Sequence, residues 1–270
     1  MDKVCVIIRV YNRIEDLKYC VEIIRNTWKA YNYHVILSCN GSDDGYIIDD
    51  GTVGKADLLV EIKNNVGHFS GNSQLLLAAL PHIPDSCDYT VILEADTWLY
   101  GDELIVAYIN KLKQQNAVWA SAQFFRYVRN LATDFAIIET AWLKTHPEVF
   151  EFDKTPEYYV GNYLSRLDFK FIYITENMPI NLPKYFRRFP GASNGRFFTF
   201  QKSKMVTHHV ENLRGGMEEK KFYFNMVAGQ DYFNISGHPS YNWERLKLGF
   251  FVALSILIPY KGWFFKTKKD

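Results

Sequence analysis

Strand-like and helix-like stretches alternate four times within the first hundred residues, and this alternation limits the fold more than any other feature of the sequence. Residues 4–10 (VCVIIRV) form an apolar, β-branched run without polar alternation, the pattern of a strand buried on both faces. Over residues 14–28, Leu17, Val21, Ile24 and Trp28 recur at spacings of three and four, which predicts an amphipathic helix. A second strand is predicted at 34–38 (HVILS) and a third at 56–62. A helix follows at about 71–80, and then a strand opening at Tyr89. Such an order predicts an α/β fold with a mainly parallel sheet covered by helices on both faces.

Ligands of parallel sheets bind beyond the carboxyl ends of the strands. Three polar turns fall at those ends: Asn40 to Asp44, Asn64 to Gly71, and Glu94 to Thr97. The last follows the apolar run 89–93 and places two acids one residue apart. By strand alternation they are expected to point the same way. Carboxylates beside a buried strand are costly to desolvate, so a cation or a hydroxyl-rich ligand is expected between Glu94 and Asp96; a solvated loop is the plainer alternative.

With 270 residues, 48% of them apolar, the chain can bury a large core as one domain or one domain and an appendage. A formal charge of +1 gives no global attraction to nucleic acid. Cys5, Cys20, Cys39 and Cys87 form no CxxC pair and sit in apolar segments, the pattern of reduced thiols. A first strand beginning at residue 3 or 4 leaves no room for a signal peptide, so a cytoplasmic protein is expected.

Further along, a helix is predicted at 102–115, a strand at 118–124, a helix at 158–167 introduced by Thr155, Pro156 and Glu157, and a strand at 169–175. Residues 176–200 carry Pro179, Pro183 and Pro190 and read as a long loop. Residues 197–206 read as a strand running into His208 and His209, of which at most one should face inward. Lys220 and Lys221 read as a solvated face, with phosphate neutralisation as the alternative.

In order, four stretches resemble the GT-A glycosyltransferases of family 2, especially the rhamnosyltransferase-like branch, across roughly residues 3–170. The first is Val6 to Arg13, with Arg9 where that family usually has proline. The second is Asn40-Gly41-Ser42-Asp43-Asp44, with Cys39 in place of the motif's first Asp. The third is Asn64 to Asn72 (NNVGHFSGN), close to N-N-x-G-x-x-x-G-N. The fourth is Leu93-Glu94-Ala95-Asp96-Thr97, in the place of L-N-P-D-T, the family's form of the DxD motif.

The resemblance implies a GT-A fold and transfer of a sugar from a UDP-, dTDP- or GDP-sugar to a glycan or lipid-linked acceptor. It implies that Asp96 binds Mg2+ or Mn2+, hard ions suited to carboxylates, with Glu94 on sugar hydroxyls or on the metal through water. Ala95 falls within the same motif. Asn65, Gly67 and Asn72 would wall the donor pocket, Asn40, Asp43 and Asp44 would meet the nucleotide, and Tyr11, Asn12 and Arg13 would frame the base; plain turns and caps are the alternative for each. One of His208 and His209 would lie near the diphosphate or metal. The family's base is an acid opening a helix that ends in R-L. Arg166-Leu167 fits that pair, so Glu157 is the implied base although it stands one or two positions early, with Asp134 and Asp153 in reserve.

Residues 246–260 are apolar and are followed by lysines interleaved with aromatics. This predicts a domain over 1–240 and an amphipathic tail over 241–270, either docked on the sheet or resting on the inner face of a membrane. Two other functions stay open. One is a nucleotidyltransferase making the sugar nucleotide, although Tyr11-Asn12-Arg13 lacks the glycine-rich basic loop that chemistry needs. The other is a catalytically silent binding protein.

Overall fold

The computed structural model describes residues 3–123, 129–177, 197–208 and 210–235, together with positions 242, 243, 246, 247, 249, 250 and 253. In chain order its elements are β1 (Lys3–Val10), α1 (Ile14–Thr27), β2 (Asn32–Cys39), α2 (Asp50–Val53), β3 (Leu58–Glu61), α3 (His68–Ala79), β4 (Tyr89–Glu94), β5 (Trp98–Leu99), α4 (Glu103–Gln115), β6 (Trp119–Ser121), β7 (Phe135–Glu139), α5 (Thr140–Thr145), α6 (Pro156–Arg166), β8 (Phe171–Tyr173), β9 (Phe198–Phe200), β10 (Met205–Thr207) and α7 (Gly216–Ala228).

The central sheet has seven strands in the order β3-β2-β1-β4-β7-β6-β8. Every neighbouring pair is parallel except those of β7, which runs against β4 and β6. This is the mainly parallel α/β sheet expected from the alternation. Central β1 shows why its sequence lacks polar alternation. Val4, Val6 and Ile8 enter one core cluster, with buried residues of α1, α4 and α7. Cys5 and Ile7 enter the other, with buried residues of α3, α5 and α6. Each fully buried aliphatic side chain contributes about 1.5–3 kcal/mol, so both helical layers are needed to stabilise the strand between them. All four cysteines are buried and outside any disulfide.

Residues 197–206 do not form one strand. They form β9 and β10, paired antiparallel and joined to β5 in a second, three-stranded sheet. This small sheet and α7 pack into the α1 face through Trp98, Leu99, Phe200, Met205, Val206 and Phe224. Most of the expected loop at 176–200, the residue His209, and most of the tail lie outside the described residues. Of the tail, Trp243, Leu246 and Phe250 are exposed. Among the described residues no helix is long and apolar enough to cross a membrane.

Candidate active site

The site begins where the central strands stop. Arg9 and Glu94 are register partners at the ends of β1 and β4, and both follow the parity of the α3 face. Arg9 is buried, and its Nη2 donates to Glu94 Oε1 at 2.7 Å and to the Thr133 carbonyl at 2.5 Å. A charge near the end of an apolar strand therefore meets its partner on the neighbouring strand. His208 lies on the other side of Glu94, with Nδ1 3.6 Å from Glu94 Oε2 and Nε2 3.6 Å from Asp134 Oδ2. Thr207 Oγ1 donates to the same Asp134 oxygen at 3.1 Å. Arginine, glutamate, histidine and aspartate thus alternate in sign.

Burial alone would raise the Glu94 carboxyl, but the Arg9 guanidinium and His208 outweigh it and hold the group well below its usual range. Burial pushes Asp134 up to about 6, with His208 only partly opposing. For His208 burial works against the charge, yet Glu94 and Asp134 prevail and raise it to about 9. Its backbone sits at φ +72°, a left-handed conformation that costs a non-glycine residue on the order of 1–2 kcal/mol. The two carboxylates hold it there.

β4 ends at Glu94, so strand alternation is not what brings Asp96 toward it. A turn does so, with Thr97 N donating to Glu94 O at 2.9 Å and Ala95 N to Arg9 O at 3.1 Å. The turn is held on further sides: Thr97 Oγ1 lies 2.7 Å from Thr207 Oγ1, and Lys220 Nζ donates to the Asp96 carbonyl at 2.6 Å. The Asp96 side chain is left over. Asp96 is 6% exposed, Arg13 Nε stands 4.0 Å from Oδ2, and Oδ1 is buried with no hydrogen-bond partner. A buried acceptor left unmade costs about 1–3 kcal/mol, more when charged, so this oxygen fits a ligand. Ligating atoms of Glu94, Asp96 and His208 lie within 4.8 Å of one another. Carboxylates suit Mg2+ or Mn2+. The two acids are the natural first ligands of such hard ions, with the His208 imidazole beside them.

The other polar turns meet beside this group. Tyr11 donates to Asp44 Oδ2 at 3.1 Å, and its ring edges onto Tyr46 at 5.2 Å between centroids. Asn64 N donates to Asp43 Oδ2 at 3.2 Å. Asn40 is buried, donates to Gly71 O at 3.2 Å, and keeps Oδ1 without a partner. A Cβ on Gly41 would stand 2.1 Å from the Tyr11 carbonyl, and one on Gly71 2.4 Å from Asn65 Oδ1. Gly41 is therefore required by the close approach of the Tyr11 backbone, whereas a side chain at Gly71 would displace the Asn65 amide. Gly67, at φ +101°, precedes α3, and its N–H donates to Asn65 Oδ1 at 2.9 Å. Asn72 donates to His68 O at 3.0 Å within α3. Asn12 is exposed, whereas Cys39, at the position of the family's Asp, is buried in the core.

Glu157 stands in the first turn of α6, whose carbonyl there accepts from Leu131 N at 3.0 Å. Its carboxyl is half-buried and raised by that burial, within electrostatic reach of Glu94, Arg9 and His208. Asp134 is enclosed by Thr207 and His208, and Asp153 is exposed. Lys221 is largely covered, paired with Glu218 and 4.5 Å from the centre of the Tyr19 ring, and Lys220 is fully buried. The expectation of a solvated face fails there because Lys220 shares a helical face with Phe224 and Val227, a three-four spacing visible in the sequence. Arg9, read only as a departure from a motif, also proves central. Its signal was a lone charge in an otherwise apolar strand.

Fold and site together define a class: a helix-flanked, mainly parallel α/β sheet with an acidic, ligand-ready turn at the carboxyl edge of its central strands. No protein-family model matches the sequence, and no curated protein does. Solved structures similar to it include a mannosyltransferase from Pyrobaculum calidifontis in complex with GDP-Man and Mn2+ (12% identity, 96% of this chain and 76% of that one, TM-score 0.49). Others are 4-diphosphocytidyl-2C-methyl-D-erythritol synthase from Anaerococcus prevotii (12%, 64% and 88%, TM-score 0.46) and TarS of S. aureus (12%, 59% and 32%, TM-score 0.43). Likenesses this distant concern the fold alone.

Proposed function

We propose that the chain is a metal-dependent, inverting glycosyltransferase of the family 2 kind. It would move a hexosyl or deoxyhexosyl group from a UDP-, dTDP- or GDP-sugar to a glycan or lipid-linked acceptor in surface-polysaccharide synthesis, with the rhamnosyltransferase-like branch as the nearest kind. The observation that carries this reading is the buried, unpartnered Asp96 Oδ1 beside Glu94 at the sheet edge. A divalent cation held there by Asp96 and Glu94 would neutralise a diphosphate leaving group without proton transfer.

The remaining work falls to the protein's own groups. Asn40, with its unpartnered Oδ1, and the turns carrying Tyr11, Asp43, Asp44, Asn65 and Gly67 form a polar wall for the nucleotide. Arg13 brings a cation to within 4.0 Å of Asp96, close to where negative charge develops. Glu157 takes the proton of the acceptor hydroxyl as that oxygen attacks the anomeric carbon, and the electron pair of the breaking bond leaves on the diphosphate. A carboxyl raised by burial is the better base near neutrality. Asp134, closed in by Thr207 and His208, is suited instead to holding the imidazolium. The exposed Trp243, Leu246 and Phe250 support a tail that rests on an anionic membrane surface.

The test is thermal unfolding with UDP, dTDP or GDP, each with and without Mn2+. Nucleotide at a hundred times its dissociation constant should stabilise by about 2.7 kcal/mol. Asp96→Ala should remove the metal-dependent part of that shift. An unchanged shift would take Asp96 out of the metal site.

A further inference from the structure

Lys220 is a buried cation that the proposed reaction does not use. It stands on α7, is fully enclosed, and is separated by 204 positions from Asp16 and 124 from Asp96. Its Nζ donates to Asp16 Oδ1 at 2.5 Å and to the Asp96 carbonyl at 2.6 Å, and lies 4.3 Å from the centre of the Trp98 ring. Withdrawing an ammonium from water costs several kcal/mol, so every one of these partners matters.

Asp16 has an unusual place for an acid in a helix's first turn. It is 2% exposed and faces inward, where burial works to raise its carboxyl against the pull of Lys220. Trp98 donates from Nε1 to the Asp16 carbonyl at 3.1 Å, so the ring that flanks Lys220 also fixes its partner. An ion pair serving only to join α7 to α1 would need Asp16 alone. The second bond, to the carbonyl of Asp96, ties the lysine to the turn whose side-chain oxygen is left unpartnered.

We propose that Lys220, paired with Asp16, is the positioning residue for the Asp96 carboxylate. By holding the Asp96 carbonyl it sets the turn that aims Oδ1 at the divalent cation. This rests on the reading of Asp96 as the metal-binding acid.

The test is Mn2+ affinity, read from the electron paramagnetic resonance of free Mn2+, beside the melting temperature of each variant. The double substitution Asp16→Asn with Lys220→Met removes both buried charges together and leaves neither stranded. It should weaken Mn2+ binding by about 10–100-fold, the usual scale for groups that orient a metal ligand, with a melting temperature near that of the parent. Lys220→Arg, which keeps the charge, should retain most of the parent's affinity. A parent that binds no Mn2+ overturns the metal reading and this one with it. A parent that binds, an Asp96→Ala that does not, and a double variant that binds like the parent overturn the positioning role alone.

Should the double variant fail to fold, hydrogen exchange in the parent chain decides. Mn2+ with GDP should slow exchange in peptides of α7 together with those spanning residues 94–98. Slowing at 94–98 without any change in α7 overturns the proposal.

Discussion

The two sheets contribute to the site in opposite ways. The carboxyl edge of the central sheet brings Glu94 and Asp96, the turns after β1, β2 and β3, and one buried cation, Arg9. The small sheet with α7 brings little beyond its packing except His208, Thr207 and Lys220. Each of these bonds to, or lies between, acids and main-chain atoms of the first part. The larger region supplies carboxylates at strand ends, where a parallel sheet always has space. The smaller one supplies cations and hydroxyls that fix those carboxylates. Acids concentrated at one edge repel each other, and an added layer of compensating charge is a direct remedy.

The largest effect should come from the acid that α6 sets within electrostatic reach of the first region. Glu157→Gln is expected to lower sugar transfer by about 10²–10⁴-fold while nucleotide binding stays intact, measured by turnover beside a thermal shift. Full activity would clear Glu157 of the base role and move attention to Asp134.

Next is the seam itself. Trp98 is fully buried, edges onto Tyr19 and Phe224, lies tilted against Phe233, and flanks Lys220. Trp98→Ala should cost about 3–5 kcal/mol in urea unfolding and also weaken the Mn2+-dependent shift. Trp119→Ala, equally buried on the opposite face of the sheet, should cost about as much and leave that shift alone. Equal effects of the two on Mn2+ would dissolve the distinction between the regions.

The smallest effect concerns His208. Its pKa is raised from 6.5 to about 9, so the stability it contributes is complete below pH 6.5 and is lost as pH rises through 9. With chelator present, the parent should lose about 1–3 kcal/mol more than His208→Gln between pH 6 and 9.5, allowing for coupling to its two acids. Asp134, raised to about 6, makes its own change at the lower edge of that window and is present in both proteins. A constant difference between parent and variant across the range would remove the charged histidine from the site.

Much of the central sheet was legible because its strands are apolar runs closed by abrupt polarity. β1, α1 and β4 fall within a residue or two of the sequence reading for that reason. The hairpin of β9 and β10 was read as one strand because its turn, Gln201 to Lys204, contains no glycine, proline or asparagine. Lys204 takes the left-handed conformation instead, at φ +57°. β7 escaped because four apolar residues and a glutamate between a loop and a short helix carry no periodic signal. In the site, acids at strand ends announced themselves by polarity. Arg9 and Lys220 did not, since a lone charge on an apolar face shows its purpose only when its partner arrives from a distant segment.

The reversed strand carries a geometric dividend. Because β7 runs opposite to β4, the chain enters it at the rim where β4 leaves, and the residue just before it, Asp134, arrives beside Glu94, its carbonyl taking the Glu94 N–H at 2.9 Å. Had β7 followed its neighbours' direction, that entry would lie at the far end of a five-residue strand, about 17 Å away by the rise of extended chain. One inverted strand thus turns an incoming loop into a supplier of side chains for a rim to which β1, β2, β3 and β4 deliver theirs on leaving.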